Sequence, residues 1–245
     1  MRKLDLKYAV FSNEGNREIN EDSVGVFHRE DGTCFVLCDG LGGHGMGDIA
    51  SQLVTQVFGN LFKGCTDYES FLEKAFTAAQ DILSAKQIET TSVKKMKTTA
   101  TAVVTDRKKV YIGHIGDSRV YTFRKNKVKC RTLDHSIPQM LVMSKEITEK
   151  EIRNHPERNM LLKVLGVDSD KRMFELQKPC ALKKCQAFLL CSDGFWELIE
   201  EEQMCSLLKD SGSPDEWLNR MLDVVRANGI GKNMDNYSAI AVWCN

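Results

Sequence analysis

Four aspartates stand where apolar, strand-like segments end or begin, each next to glycine or asparagine. They are Asp39, Asp117, Asp193 and Asp235. A carboxylate at a strand end is held by the sheet yet can face a cleft, and an adjoining glycine lets the backbone approach a ligand closely. Any one of these pairs could form an ordinary turn. Four together favour a shared site.

Carboxylates that converge in a folded protein repel one another, so they cannot all stay ionised unless a cation compensates them. Ligation by oxygen alone favours Mg²⁺ or Mn²⁺ over zinc, and no histidine has the spacing that would complete a zinc site. The pairs Cys34/Cys38 and Cys180/Cys185 do not form a zinc-binding pattern. We therefore expect a centre of hard divalent cations.

The segment 16–22 near the N-terminus could add a cationic side chain to this centre. If Glu21 and Asp22 turn toward the aspartates, Arg17 reaches the same cleft. A guanidinium group matches two oxygens of a phosphate, which predicts a phosphate site beside the metals. The alternative is that Arg17 pairs with Glu18 or Glu21 on the surface.

Ten short segments with β-branched and apolar residues predict the strands that would position these side chains. They are residues 7–12, 23–28, 33–38, 99–105, 109–115, 119–124, 127–132, 172–177, 187–191 and 238–244. Connections such as 106–108 and 125–126 are too short for a crossover helix. The sheets should therefore be mainly antiparallel.

Three longer segments have helical periodicity. Residues 48–62 and 69–83 each place apolar side chains on one stripe. A third helix has Ser213 as its cap, Pro214 as its first residue and Gly229 as its stop. Runs of strands alternating with runs of helices predict an α+β fold, a central sandwich of two antiparallel β-sheets flanked by helices on both faces (α-β-β-α).

The segment 134–170 fits this pattern poorly. It contains one short capped helix from Thr148 onward and is otherwise irregular, which predicts a flap that faces the substrate. Met140, Met143 and residues 196–198 should take part in core or flap packing rather than form a cofactor site.

Composition limits the remaining possibilities. We expect one domain over residues 1–245, unless a boundary lies in the polar stretch 84–97. The 34 basic and 34 acidic residues leave no net charge that would attract nucleic acid or an anionic membrane. No apolar run is long enough to span a membrane, and residues 1–5 do not resemble the start of a signal peptide, so we expect a cytoplasmic protein. The nine cysteines do not imply a disulfide framework.

Six motifs follow one another in the order seen in the metal-dependent, type 2C serine/threonine protein phosphatases, and the chain resembles their bacterial branch over nearly its whole length. They are Arg17-x3-Glu21-Asp22, Asp39-Gly40-Leu41-Gly42-Gly43-His44, Gly116-Asp117-Ser118-Arg119, Asp134-His135-Ser136, Ser192-Asp193-Gly194 and Asp235-Asn236. Each motif is weak alone, whereas the ordered set is highly specific.

The resemblance implies two or three Mn²⁺ or Mg²⁺ ions per chain. Asp39 would bridge two of them. The carbonyl of Gly40 would bind the first, and the carboxylates of Asp193 and Asp235 the second. Asp117, together with Asp193, would hold a weaker third ion.

The resemblance also implies the reaction. Water activated between two cations would attack the phosphorus of phosphoserine or phosphothreonine without a phosphoenzyme, while Arg17 binds the phosphate. Glu21, Asp22 and Asn236 would not bind the metals directly but would orient the metal ligands and the metal-bound waters. The catalytic residues would be Arg17, Asp39 and Asp193. Substrates would be phosphorylated proteins that are targets of serine/threonine kinases, and the enzyme would act as a monomer.

Two positions depart from the family pattern. Some members have histidine two residues after the bridging aspartate, where this chain has Leu41, and its nearest histidine is His44. A metal-bound water is then a better acid for the leaving group than His44. Relatives usually have glycine where this chain has Lys97, so the turn before Thr98 could differ.

Three rival hypotheses come from the same sequence. Residues 40–45 satisfy the GxGxxG pattern of dinucleotide-binding proteins, but two helices rather than a returning strand should follow them. Residues 134–136 are the aspartate, histidine and serine of a catalytic triad by type. Adjacent residues cannot form the triad's chain of hydrogen bonds, however, and no GxSxG motif is present. A phosphatase-like scaffold without activity also remains possible.

Overall fold

The computed structural model of the chain describes residues 6–41, 46–90 and 96–244. Its strands are β1 (Leu6–Asn13), β2 (Asp22–His28), β3 (Thr33–Leu41), β4 (Lys97–Thr98), β5 (Ala100–Thr105), β6 (Lys109–Ile115), β7 (Arg119–Arg124), β8 (Lys127–Arg131), β9 (Glu175–Leu176), β10 (Cys180–Ala181), β11 (Ala187–Cys191) and β12 (Tyr237–Cys244). Its α-helices are α1 (Gly47–Lys63), α2 (Tyr68–Glu89), α3 (Ile137–Met143), α4 (Asp193–Trp196), α5 (Glu201–Asp210) and α6 (Pro214–Gly229). Two 3₁₀ helices cover Glu149–Asn154 and Leu182–Lys184.

The strands form two antiparallel sheets. One has five strands in the order β1-β12-β11-β7-β8. The other has seven, with the order β10-β6-β5-β3-β2 and with β4 and β9 paired to β3 and β6. The predicted α-β-β-α sandwich is confirmed, because helices cover the outer face of each sheet.

Strand β3 shows how alternation in the sequence builds the layers. Phe35 and Leu37 point between the two sheets, and Phe35 meets Phe188 of the opposite sheet with ring centroids 6.0 Å apart. Cys34 and Val36 point the other way, into the core beneath α1 and α2. A strand buried on both faces is mostly apolar, and β3 is apolar from Cys34 to Cys38, directly before its aspartate.

The outer helices pack through aromatic side chains. Phe58 of α1 and Phe76 of α2 meet edge to face, with ring centroids 5.0 Å apart. On the other side, Trp217 of α6 packs against Phe123 of β7 at 5.1 Å, and its indole nitrogen donates to the Met204 carbonyl of α5 at 3.0 Å. The predicted limits of α6 are confirmed, because the Ser213 hydroxyl caps its first turn and it ends at Gly229.

Helix α2 is longer than the periodicity predicts. It continues to Glu89, and residues 84–89 of the polar stretch 84–97 are therefore helical. Gln87 is buried there, and its amide donates to the carbonyls of Met96 and Gly166 at 2.6 and 2.8 Å. A polar residue in this stretch is thus part of the packed structure.

The predicted strand 172–177 was wrong in extent, because β9 comprises only Glu175 and Leu176. The preceding Phe174 stacks on Phe76 with ring centroids 4.9 Å apart, so its apolar character serves contact with α2 rather than a β-ladder. Helices α4 and α5 were not predicted. Helix α4 has only four residues, and α5 has ten, with Met204 and Leu208 buried and Leu207 partly buried against the same core.

The segment 134–170 contains more structure than expected. Helix α3 lies within it, and the predicted capped helix is a 3₁₀ helix in which Thr148 and Glu151 form a capping box. Core packing by two methionines was wrong, because Met140 is 50% and Met143 69% exposed. Apolar side chains on a short surface helix do not need to be buried, since much of any protein surface is apolar.

The dinucleotide-binding alternative fails on topology. Strand β3 is followed by two consecutive helices, and its neighbours β2 and β5 are antiparallel to it, whereas that fold needs a parallel return strand. None of the helices in the described ranges combines the length and apolar character that crossing a membrane requires.

The contact between the sheets should dominate stability. We expect Phe35→Ala to lower the free energy of unfolding by about 3–5 kcal/mol, because it leaves a cavity between two sheets that cannot collapse onto it. Urea denaturation followed by circular dichroism measures the change. Ile88→Ala is the control, since Ile88 is 73% exposed. Equal effects of the two substitutions would contradict this packing.

Candidate metal centre

A cleft of about 760 Å³ opens where strands of both sheets end on the same side of the sandwich. The predicted site residues in its wall are Arg17, Glu21, Asp39, Gly40, Asp117, Asp193, Asp235 and Asn236. Residues from β3, the β6–β7 turn, α4 and the segment just before β12 therefore meet, although up to about two hundred positions separate them along the chain. Of the predicted site residues, Asp22 lies outside this lining.

Asp39 is anchored by two threonines. Its amide donates to the Thr99 hydroxyl at 3.0 Å, and its carbonyl accepts from the Thr98 hydroxyl and the Thr99 amide, each at 2.8 Å. In the described part of the chain no hydrogen-bond donor reaches its carboxylate. The backbone is thus fixed while the carboxylate is left for a ligand.

Gly40 is required by a close approach of two backbones. A Cβ at this position would lie 2.2 Å from the Gly47 carbonyl oxygen at the start of α1. The Gly40 amide donates to the Glu21 carbonyl at 3.1 Å, which joins β3 to the N-terminal segment. Gly40 therefore lets the backbones at the edge of the cleft pack closely, and it also leaves room for a ligand.

Asp117 sits in the turn between β6 and β7. It follows Gly116, whose φ of +97° suits glycine and would strain any other residue. The Asp117 carbonyl accepts a hydrogen bond from the Trp196 indole nitrogen at 3.0 Å. The turn is therefore fixed from below by α4.

Asp193 and Asp235 lie at the two neighbouring strand ends. Asp193 is the first residue of α4, and one of its oxygens accepts from the Gly194 amide at 2.6 Å. Asp235 precedes β12, and one of its oxygens accepts from the Asn236 amide at 2.9 Å. Gly194 lets the two segments touch, because a Cβ there would lie 2.3 Å from the Asn236 carbonyl oxygen.

Arg17 points into the cleft. Its guanidinium donates to Asp235 Oδ2 at 2.8 Å, so the surface pairing with Glu18 or Glu21 considered as an alternative is not formed. Asn236 holds this N-terminal segment, because its amide nitrogen donates to the carbonyls of Glu14 and Ile19 and its amide oxygen accepts from the Glu21 amide.

Asp22 lies behind the cleft, opposite Asp39 in the β2–β3 register. It is buried and accepts a hydrogen bond from the Ser192 hydroxyl at 2.8 Å. The same hydroxyl accepts from the Ser238 amide at 2.9 Å. Asp22 therefore connects both sheets beneath the aspartates.

Burial and mutual repulsion raise the pKa of these carboxyl groups. Burial, followed by repulsion from Asp193, raises the pKa of Asp39 well above its ordinary value, and burial with repulsion from Asp117 does the same for Asp193. Burial raises the pKa of Asp117 to about 7 and that of Asp22 to about 6. Such groups are unfavourable as bare anions, so the donor set fits hard divalent cations.

A buried support beneath Asp117 was missed from the sequence. Arg119 binds the carboxylate of Asp134 through two nitrogens, at 2.8 and 2.6 Å, and its guanidinium lies 3.4 Å from the Trp196 ring centre. The available signal was a charged residue inside an apolar strand, since a buried arginine needs an acidic partner.

The two departures from the family pattern have different outcomes. Lys97 pairs with Leu41 between β4 and β3, and it is not among the residues with positive φ, so the strand accommodates it. His44, like residues 42–45 of the GxGxxG pattern, lies outside the described residues. No histidine occurs among the described residues that line the cleft.

A sandwich of this kind with an acidic cleft at its rim defines a metal-dependent hydrolase, and comparisons with known proteins agree. The profile of the protein phosphatase 2C family matches residues 12–237. The serine/threonine phosphatase stp of Listeria welshimeri is 30% identical over 236 residues, which cover 94% of this chain and 92% of that protein. The protein phosphatase PstP of Mycobacterium tuberculosis is 31% identical over 84% of this chain and 39% of its own length.

Solved structures give the same result. The serine/threonine phosphatase Stp1 of Staphylococcus aureus superposes with a TM-score of 0.89 and 28% identity, covering 98% of this chain and 96% of that one. The catalytic domain of PstP in complex with two manganese ions has a TM-score of 0.80 and 26% identity, with 97% of each chain covered.

The chain belongs to the protein phosphatase 2C family. It is a metal-dependent hydrolase that removes phosphate from serine and threonine side chains of proteins.

The raised pKa values predict an unusual pH dependence of stability. In EDTA, lowering the pH from about 7.5 to about 5.5 should raise the free energy of unfolding more in the unmodified protein than in Asp117→Asn, because folded Asp117 takes up a proton that the unfolded chain does not. Burial lowers the pKa of His114 and His135, which opposes this rise in both proteins alike. Asp117 and Asp22, with pKa values of about 7 and about 6 against an ordinary 3.8, set this window.

Urea denaturation at several pH values measures this effect. Saturating Mn²⁺ should remove or reverse the slope, since bound cations favour the ionised carboxylates. The electrostatic description would be contradicted if the unmodified protein and Asp117→Asn had the same pH dependence in EDTA over this window, or if acidification stabilised the unmodified protein less.

Proposed function

We propose the following roles for the cleft residues in the phosphatase reaction. Asp39 would hold two Mn²⁺ or Mg²⁺ ions together with the Gly40 carbonyl, Asp193 and Asp235. Asp117 and Asp193 would hold a third, weaker ion. The observation that supports this most directly is the carboxylate of Asp39 in the cleft, to which none of the described residues donates a hydrogen bond.

The bound cations would supply a nucleophilic water at neutral pH and compensate the charge of the phosphate. Side chains of this chain position the phosphate and the metal ligands. Arg17 orients the phosphate, because a guanidinium matches two of its oxygens. Glu21 faces the cleft, whereas Asp22 and Asn236 hold the N-terminal segment and the strand ends in place.

Arg17 has a second task before substrate arrives. Its contact with Asp235 at 2.8 Å keeps the guanidinium at the cleft edge, where it is 48% exposed and open to an incoming phosphate. Cations at Asp235 would weaken this contact by competing for the same carboxylate. Metal loading would thereby release Arg17 toward the substrate.

We also propose a cellular setting. Residues 1–245 form a single phosphatase domain, supported by the family match over residues 12–237. The enzyme acts as a monomer in the cytoplasm, in signal transduction, on proteins phosphorylated by serine/threonine kinases. The bacterial phosphatases it resembles support this role, and the balanced charge of the chain favours no nucleic acid or membrane partner.

Hydrolysis of a phosphopeptide and of p-nitrophenyl phosphate, with Mn²⁺ and with EDTA, tests the metal assignment. We expect activity only with the metal. Asp39→Asn should lower kcat by more than about 100-fold. Losing a residue that only supports a metal ligand already lowers metal affinity or activity by about 10- to 100-fold.

The exposed Asp81→Asn on α2 is the matched control and should retain full activity. Turnover that is insensitive to EDTA would overturn the mechanism. Tight Mn²⁺ binding without turnover in the unmodified protein would instead favour the inactive scaffold.

Arg17→Ala should raise KM by about tenfold with a smaller change in kcat, because its task is binding of the phosphate. Steady-state kinetics with a phosphopeptide measures both values. Arg220→Ala is the control, since Arg220 is similarly exposed, at 42%, and is paired with Glu216 on α6. If KM does not change in Arg17→Ala, Arg17 is not a phosphate ligand.

A further inference from the structure

His135 connects two walls of the cleft from behind. Its amide donates to the Gly116 carbonyl at 2.9 Å, and its ring atom Nδ1 accepts from the Gly116 amide at 3.1 Å. Its carbonyl accepts from the Leu162 amide at 2.7 Å. One residue therefore binds both backbone groups of Gly116 and a segment within 134–170.

Both partners adjoin residues that face the cleft. Gly116 precedes Asp117, and Leu162 follows Leu161, and both Asp117 and Leu161 line the cavity. Gly116 has no room to shift toward its other neighbour, because a Cβ there would already lie 2.5 Å from Thr99 Cγ2. The position of the turn thus depends on Thr99 on one side and on His135 on the other.

The surroundings of His135 select the tautomer that this contact needs. An amide that donates to Nδ1 requires a lone pair there, so the ring proton is on Nε2. Glu175 Oε1 lies 3.1 Å from Nε2, although not in line for a hydrogen bond, and Lys163 lies 3.4 Å from the same oxygen. The carboxylate favours a proton on Nε2 and hence an acceptor at Nδ1.

His114, His135 and Glu175 have the residue types of a zinc site, and their ligand atoms lie within 4.8 Å of one another. The ring geometry argues against one. The imidazoles are stacked with centroids 4.7 Å apart and planes 12° apart, and their lone pairs lie in those planes, so they do not converge on one ion. His114 also donates from Nε2 to the Leu133 carbonyl at 2.7 Å, which supports the segment carrying His135.

We propose that His135 is a positioning residue that joins the Gly116–Asp117 turn and the Leu161–Leu162 wall into one rigid unit. It presents the Asp117 carboxylate to the weakest metal position and keeps the wall in register with it. The metal part of this inference rests on the role proposed for Asp117, whereas the rigid unit does not.

Three substitutions separate the effect of losing the hydrogen bond from the effect of losing side-chain volume. His135→Ala removes the acceptor at Nδ1. His135→Asn restores it, because the asparagine oxygen occupies nearly the same place. His135→Gln fills the space but has a carbon atom where Nδ1 was, so it should behave like His135→Ala and also reports on the contact if the alanine variant does not fold.

Amide hydrogen exchange of the protein in EDTA tests the rigid unit without any metal. We expect the Gly116 amide to exchange about tenfold faster or more in His135→Ala and His135→Gln, because its acceptor is lost, and to stay protected in His135→Asn. His155→Ala is the matched control, since its Nδ1 also accepts a backbone amide, that of Glu157, but away from Asp117. Unchanged protection of Gly116 in both the alanine and glutamine variants would overturn the proposal, as would an asparagine variant that exchanges like alanine.

Calorimetric titration with Mn²⁺ tests the metal part. The weakest binding step should lose about tenfold in affinity in His135→Ala and His135→Gln and recover in His135→Asn, while the tighter steps stay unchanged. Unchanged Mn²⁺ binding in all three variants would overturn the link from His135 to the metals. That failure is distinct from failure of the proposed function, which would appear as full activity of Asp39→Asn.

Discussion

Repulsion among carboxylates in one cleft is the constraint on which the rest of this structure depends. Asp39 and Asp193 lie close to Asp117 and Asp235, with Arg17 paired to Asp235, and burial raises the pKa of several of these carboxyl groups. A cluster like this cannot fold as bare anions at low cost. The scaffold must therefore stabilise it by rigid backbone contacts until divalent cations compensate the charge.

Those contacts are mostly neutral. Thr98 and Thr99 bind the backbone of Asp39, Ser192 binds Asp22, and the Trp196 indole binds the carbonyl of Asp117. Neutral donors hold the backbone without adding charges that would compete with a metal. The strong ion pair of Arg119 and Asp134 is set one layer below, where it fixes the turn and does not occupy the cleft.

The strands and the α-β-β-α arrangement were predictable because alternation and short turns are local features of the sequence. Asp39 and Asp117 could be singled out for the same reason, since each ends a recognisable apolar run. Helix α5 and the short β9 were missed, because the apolar residues of α5 fall within the five positions 204–208, and a phenylalanine before β9 packs on α2 instead of pairing. The roles of Thr99, Trp196 and His135 depend on partners far away in the chain, which no local pattern reveals.

By itself, the amino-acid sequence determined which residues carry charge, where strands end, and in what order the acidic motifs follow one another, because these are properties of single segments. Only the tertiary structure decided that Arg17 pairs with Asp235, that Asp22 lies behind Asp39, and that His135 lies between the Asp117 turn and Leu162. Such contacts join segments up to 218 residues apart. They exist only when both sheets have packed, because the energy of each depends on burial and alignment that the packing creates.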